Sequence, residues 1–142
     1  MHPTKVPCYA FNARHASRHL TQFYDQMLLP SGVRITQLTL LIMLMQKGPM
    51  SINALAQSLE MDRTTLGRNL QLLERDGLLE MMRSEQDRRR KDIQLTEQGL
   101  KQLEQALALW RDAQARFEER FGVERAARLL EELRAAAAAV EP

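Results

Sequence analysis

Cysteine is nearly missing from this 142-residue chain, with Cys8 standing alone. A single thiol excludes an internal disulfide and a cysteine-built zinc cluster, and it fits a reducing compartment. Aromatic residues are scarce as well: 1 Trp, 2 Tyr and 4 Phe. No apolar run approaches the roughly 18 residues that a membrane span needs, and the segment from Met1 to Pro7 lacks the apolar core of a signal peptide. A cytoplasmic protein with no membrane partner is expected. The net charge of +2 is too small to argue by itself for a polyanionic partner, so any such argument must rest on where the cations sit. Phosphate-cradling glycine loops and nucleophile motifs are absent. His2, His15 and His19 lie near Asp25 in sequence, and His15 and His19 share a helix face at i and i+4, but no third ligand or metalloprotease glutamate accompanies them. Catalytic residues, metal ligands and a cofactor are therefore not expected.

What is present is ordinary for a folded domain: 44% hydrophobic and 27% charged residues. Residues 8–29 mix apolar and polar positions at helical spacing, and Pro30-Ser31-Gly32 ends that helix. Residues 35–46 hold a nearly unbroken apolar run, from Leu38 to Met45, that reads as a buried central helix stopped by Gly48-Pro49. Ser51 can cap a short helix carrying Leu55, Ala56 and Leu59. Asp62 caps another, whose Leu66, Leu70 and Leu73 form one core-facing stripe before Asp76-Gly77 closes it. Two helices separated by about three to four residues match helix-turn-helix spacing. Strands are predicted at residues 78–83 and 91–95.

From Thr96 onward, Leu100, Leu103, Leu107, Trp110, Phe117 and Phe121 fall at alternating three- and four-residue steps, with Gln114 in the one discordant position. That is a heptad seam. Gly122 interrupts it, and Val123, Ala126, Leu130, Leu133, Ala137 and Val140 resume it. A helix over residues 96–121 would extend about 39 Å at 1.5 Å per residue, longer than a small core requires. These seams predict a homodimer. The resulting fold class is mainly α with a small antiparallel β-hairpin wing. Residues 1–34 and 96–142 would form the helical dimerisation region, around a winged helix-turn-helix domain at residues 35–95.

On the helix that Asp62 caps, the side opposite the leucine stripe offers Arg63, Thr64, Thr65, Arg68, Asn69 and Gln71. Hydroxyls and free N–H groups in a first turn suit phosphates or a thymine methyl, while Arg68 can fork onto guanine and Asn69 onto adenine. Gly67 would keep that face low. The loop between the strands carries Asp87, Arg88, Arg89, Arg90 and Lys91. Asp87 and Arg89 stand two apart at the expected tip, where the carboxylate would brace the guanidinium for a narrow minor groove. Arg88, Arg90 and Lys91 suit phosphates.

The runs Met61-Asp62-Arg63-Thr64-Thr65-Leu66, Leu73-Glu74-Arg75-Asp76-Gly77-Leu78, Asp87-Arg88-Arg89 and Leu95-Thr96-Glu97-Gln98-Gly99 resemble the MarR family of bacterial transcriptional regulators. The resemblance covers nearly the whole chain. It implies a triangular homodimer reading a pseudo-palindromic double-stranded operator, with Arg89 as wing arginine and Asp87 as its brace. It also implies a repressor released by a small aromatic or amphipathic effector bound between the dimer region and the winged domain. By the same resemblance His15, His19, Phe23, Tyr24, Met43 and Met45 are candidate pocket residues. An organic-hydroperoxide-sensing branch of that family pairs an N-terminal cysteine with tyrosines. Aligning first helices on Arg18, Thr21 and Tyr24 keeps one tyrosine position, but sets Cys8 two residues early and puts Arg14 where the other would be. Redox sensing through Cys8 is thus one alternative, and a winged protein-interaction module that does not read DNA is another.

Overall fold

The computed structural model describes residues 6–142; residues 1–5, including His2 and the start of the segment read above for targeting signals, lie outside the described residues. Helix α1 runs over Tyr9–Leu28 and passes into a 3-10 turn, Leu29–Ser31. Gly32 ends the turn at φ 73°, a left-handed conformation that suits glycine. Helices α2 (Ile35–Lys47), α3 (Ile52–Leu59) and α4 (Arg63–Arg75) follow, and then α5 (Glu97–Phe121) and α6 (Val123–Ala139) after the strands. Asp25 ties α1 to α2, its carboxylate accepting the Ile35 N–H at 2.8 Å. No single helix among the described residues is long and apolar enough to cross a membrane.

The sheet has one strand more than the sequence predicts. Strand β2 (Leu79–Arg83) and β3 (Lys91–Leu95) pair antiparallel, with Leu79 opposite Leu95 and Arg83 opposite Lys91. On the other edge of β3 lies β1, Met50–Ser51, which sets Met50 against Ile93 and Ser51 against Asp92. Two residues next to Pro49 are too few to show a period of two, so local pattern cannot reveal β1. It exists because β3 has a free edge beside the start of α3.

Leucines of α2, α3 and α4 converge on Leu78, Leu79 and Ile93 to form the core, which Leu28, Leu103 and Ala106 extend toward the helical arms. The central helix is less buried than its composition suggests: Leu38, Leu40, Leu41 and Leu44 are inside, Ile42 and Met43 half-buried, and Met45 exposed. Sequence hydrophobicity reports what a helix tolerates on each face, while its neighbours decide which faces are covered.

The start of α5 locks the arm onto this core. Thr96 caps α5 by accepting the Gly99 N–H, and its hydroxyl donates to the Gly77 carbonyl at 2.6 Å while its N–H donates to the Leu78 carbonyl at 3.1 Å. Gly99 lies so close to the Leu78 backbone that a methyl there would overlap the Leu78 carbonyl oxygen. Farther along, the arm opens. Leu100 is exposed despite its heptad position, and α6 contains no buried residue at all. Gln114, the discordant heptad position, hydrogen-bonds the Tyr24 hydroxyl of α1. Burial, with the Glu118 carboxylate nearby, pushes the Tyr24 phenol above its ordinary value.

Candidate nucleic-acid interface

Helix α4 begins where the sequence predicts. Asp62 accepts the Thr65 N–H at 3.0 Å and the Thr65 hydroxyl at 2.6 Å, and these bonds hold its carboxyl below the usual carboxylate range. Leu66, Leu70 and Leu73 are buried, which turns Arg63, Thr64, Thr65, Arg68 and Gln71 to solvent. Two of the predicted contact residues are partly occupied. The Thr65 hydroxyl serves the cap, and Asn69 is half-buried with its amide donating to the Thr65 carbonyl at 3.4 Å. Residues 63–73 contain no carboxylate, so this face presents cations and hydroxyls without competition along three turns. A Cβ at Gly67 would meet nothing within 4 Å. A mid-helix glycine disfavours the helix by roughly 0.8–1.0 kcal/mol relative to alanine. No packing need within the chain accounts for one here.

The wing differs from the predicted arrangement at two points. First, Asp87 does not brace the Arg89 guanidinium; its carboxylate accepts the Arg89 backbone N–H at 3.0 Å, an Asx-type turn that shapes the loop. A two-residue spacing favours this local backbone bond because it orders no long side chain. Second, Arg90 is not a free phosphate ligand. Its Nε donates to Asp92 at 3.2 Å and its Nη2 to Ser84 Oγ at 3.3 Å. Arg88, Arg89, Arg90 and Lys91 are all exposed, but of the four only Arg90 has a carboxylate among the described residues within ion-pair distance. Ser84 and Asp92, both buried, were missed as wing residues. One signal for Asp92 was available: an aspartate inside a predicted strand runs against strand composition and calls for a partner.

The six pocket candidates do not meet in one cavity. Tyr24 lines a space of about 370 Å³ with Leu20, Gln114 and residues of α6. His19 and Phe23 line another, of about 270 Å³, with Phe117, Arg120 and Phe121. Met45 lines a third, of about 390 Å³, between the end of α2, β3 and the start of α5. Met43 packs on the core, and the His15 ring meets that of His19 at a tilt of 59°, with ring centroids 4.5 Å apart. Asp25 accepts the Ile35 N–H of α2, and no group of three metal-ligating side chains occurs among the described residues.

Cys8 is exposed and caps α1, its sulfur accepting the Phe11 N–H at 3.5 Å. Tyr24 stands sixteen residues further along and is engaged by Gln114, so the tyrosine that the redox alternative keeps is committed elsewhere.

A protein-family model described as MarR family matches residues 33–91. Among solved structures, the chain is similar to the M. tuberculosis transcriptional regulator MosR in complex with DNA, at 37% identity and a TM-score of 0.77, over 95% of this chain and 99% of that one. It is also similar to the transcriptional repressor CouR bound to a DNA duplex, at 24% identity and a TM-score of 0.83, over 92% of each chain. The PcaV transcriptional regulator from Streptomyces coelicolor, solved with its natural ligand, shares 21% identity and a TM-score of 0.83 over 99% of this chain and 98% of its own. The search of curated proteins finds no match.

Proposed function

Because the chain belongs to the MarR family of DNA-binding transcriptional regulators, we propose that it acts as a homodimeric repressor on a pseudo-palindromic operator, released by a small aromatic or amphipathic effector. The observation that carries the reading is the α4 face. Arg63, Thr64, Arg68 and Gln71 are exposed on a capped helix that carries no carboxylate before Glu74 in its last turn, and Gly67 keeps the same side low without any intrachain reason. A helix of that kind fits a major groove, with its hydroxyls and first-turn N–H groups on phosphates and Arg68 toward base edges. Arg88, Arg89 and Lys91 supply the neighbouring backbone or minor-groove contacts.

Dimerisation is supported by α6, whose Val123, Leu130 and Leu133 are exposed along one seam. Two copies would set two α4 helices about one turn of DNA apart. Repression needs nothing beyond occupancy of promoter DNA. For the effector, the space of about 390 Å³ beside Met45 is a cavity of suitable size at the junction of winged unit and arm, and its lining is largely apolar.

The test is fluorescence anisotropy of the full chain on intergenic DNA beside its own gene, repeated over a salt series. Tight binding that falls steeply and log-linearly with salt is expected. Failure to bind that DNA, or any duplex at low salt, would favour the protein-interaction reading. Peroxide release that a Cys8→Ser variant abolishes would replace the small-molecule effector with a thiol switch.

A further inference from the structure

Resting on the DNA-binding reading, we propose that Arg90, Asp92 and Ser84 form a clasp that positions the wing tip for DNA without touching it. Asp92 sits on the central strand β3, between Ser51 of β1 and Met82 of β2, and is only 8% exposed. A carboxylate so nearly buried needs a cation or donors. Arg90 supplies the cation through Nε at 3.2 Å. The same guanidinium reaches back through Nη2 to Ser84 Oγ, which also accepts the N–H groups of Gln86 and Asp87, each at 3.3 Å. The Ser84 N–H donates to the Arg90 carbonyl at 2.9 Å and closes the loop, while the Arg90 N–H donates to the Asp87 carbonyl at 3.0 Å.

Both limbs of the loop therefore end on one side-chain group. Swinging Arg90 out to a phosphate would strand Asp92 without its cation and release Ser84 from the second limb. Arg90 is held, and Arg88, Arg89 and Lys91 are left to meet DNA. Since the charge of Arg90 is already compensated by Asp92, it releases little bound counterion when DNA arrives. Arg90 and Asp92 are positioning residues.

The experiment uses the full-length protein and the duplex it binds, over a salt series, with Arg90→Gln, Asp92→Asn, Arg90→Lys and the Arg90→Gln/Asp92→Asn double variant. Each of the first two is expected to weaken binding about tenfold with the salt slope unchanged. The double variant should be no weaker than either one, because both remove the same contact. Arg90→Lys should recover part of the loss, keeping the Asp92 pair but not the Ser84 bond. Tighter binding by Asp92→Asn is what removing a mere negative charge near phosphates would produce, and it overturns the clasp. So do additive losses, or a slope that Arg90→Gln lowers by about one, the mark of a direct phosphate contact.

A readout free of DNA accompanies these. Amide exchange at Gln86 and Asp87 should quicken in Arg90→Gln and Asp92→Asn, with the global melting temperature little changed. Unchanged exchange overturns the clasp even if DNA binding fails. If the unsubstituted protein binds no DNA at any salt while exchange quickens, the DNA reading falls and the loop-ordering role of the clasp stands.

Discussion

Leucines recur at helical spacing in both α4 and α6, yet the two helices end in different surroundings. Leu66, Leu70 and Leu73 of α4 are buried by α3, β2 and the rest of the winged unit, whereas Val123, Leu130 and Leu133 of α6 are exposed along a helix with no buried residue. Periodicity specifies an apolar face; it does not say what covers the face. In the winged unit the covering elements are short, adjacent in sequence and joined by tight turns, so the core closes within the chain. In the arm, α6 follows α5 across Gly122 and has little of its own chain left to pack against.

The widest separation of the two regions comes from Leu130→Asp combined with Leu133→Asp. Each leucine is about half exposed, so completing its burial is worth about 1 kcal/mol, and a symmetric dimer uses four of them. Dimer affinity should fall by a thousandfold or more, read by sedimentation, while the winged unit keeps its melting transition. A dimer that survives would break the assignment of α6 to the interface. Leu66→Ala should do the reverse. It opens a cavity at a fully buried site and costs about 2–5 kcal/mol in a urea titration, and a loss under about 1 kcal/mol would show that the winged core does not depend on the α4 stripe.

Gly99→Ala tests the joint between the regions. The added methyl must push α5 off the Leu78 carbonyl, at about 1–3 kcal/mol or more. The expected signature is lower stability together with weaker DNA binding, because the arm no longer sets the winged unit's orientation; wild-type behaviour would mean that the contact is not maintained in solution. Arg89→Ala stays within the wing and should cost about 1–2 kcal/mol of DNA affinity with the melting temperature unchanged, so equal affinity would remove Arg89 from the interface. The smallest effect is expected of Gly67→Ala, whose Cβ meets nothing in the chain. Stability should rise by roughly 0.5–1 kcal/mol while DNA affinity drops, and a rise in both would show that no partner approaches that side.

Much of the fold was legible from residue order alone. Asp62 and Thr96 cap their helices through bonds to the third residue on, Gly32 and Gly122 end helices at positive φ, and β3 spans the predicted residues 91–95. These are local decisions made within a few bonds of the residues concerned. The side-chain partners of the wing were not legible. Asp87 and Arg89 looked like a pair because they are close in sequence, but the nearest donor to a turn aspartate is a backbone N–H. Arg90 found Asp92 and Ser84 only once the hairpin had folded. The pocket candidates divide among separate cavities for a related reason: shared residue type on α1 and α2 does not fix which neighbours each side chain meets.

Sequence by itself determined the helices, their caps, the two wing strands and the run of α4 from Arg63 to Leu73 that lacks a carboxylate, because each depends on contacts within one or two turns or on a hydrophobic period. Tertiary structure decided that β3 would take a third strand, that Gly99 must lack a side chain against Leu78, that Gln114 would meet Tyr24, and which wing arginine pairs with a carboxylate. Each of these is a meeting set by chain path, and short-range pattern carries no record of the path.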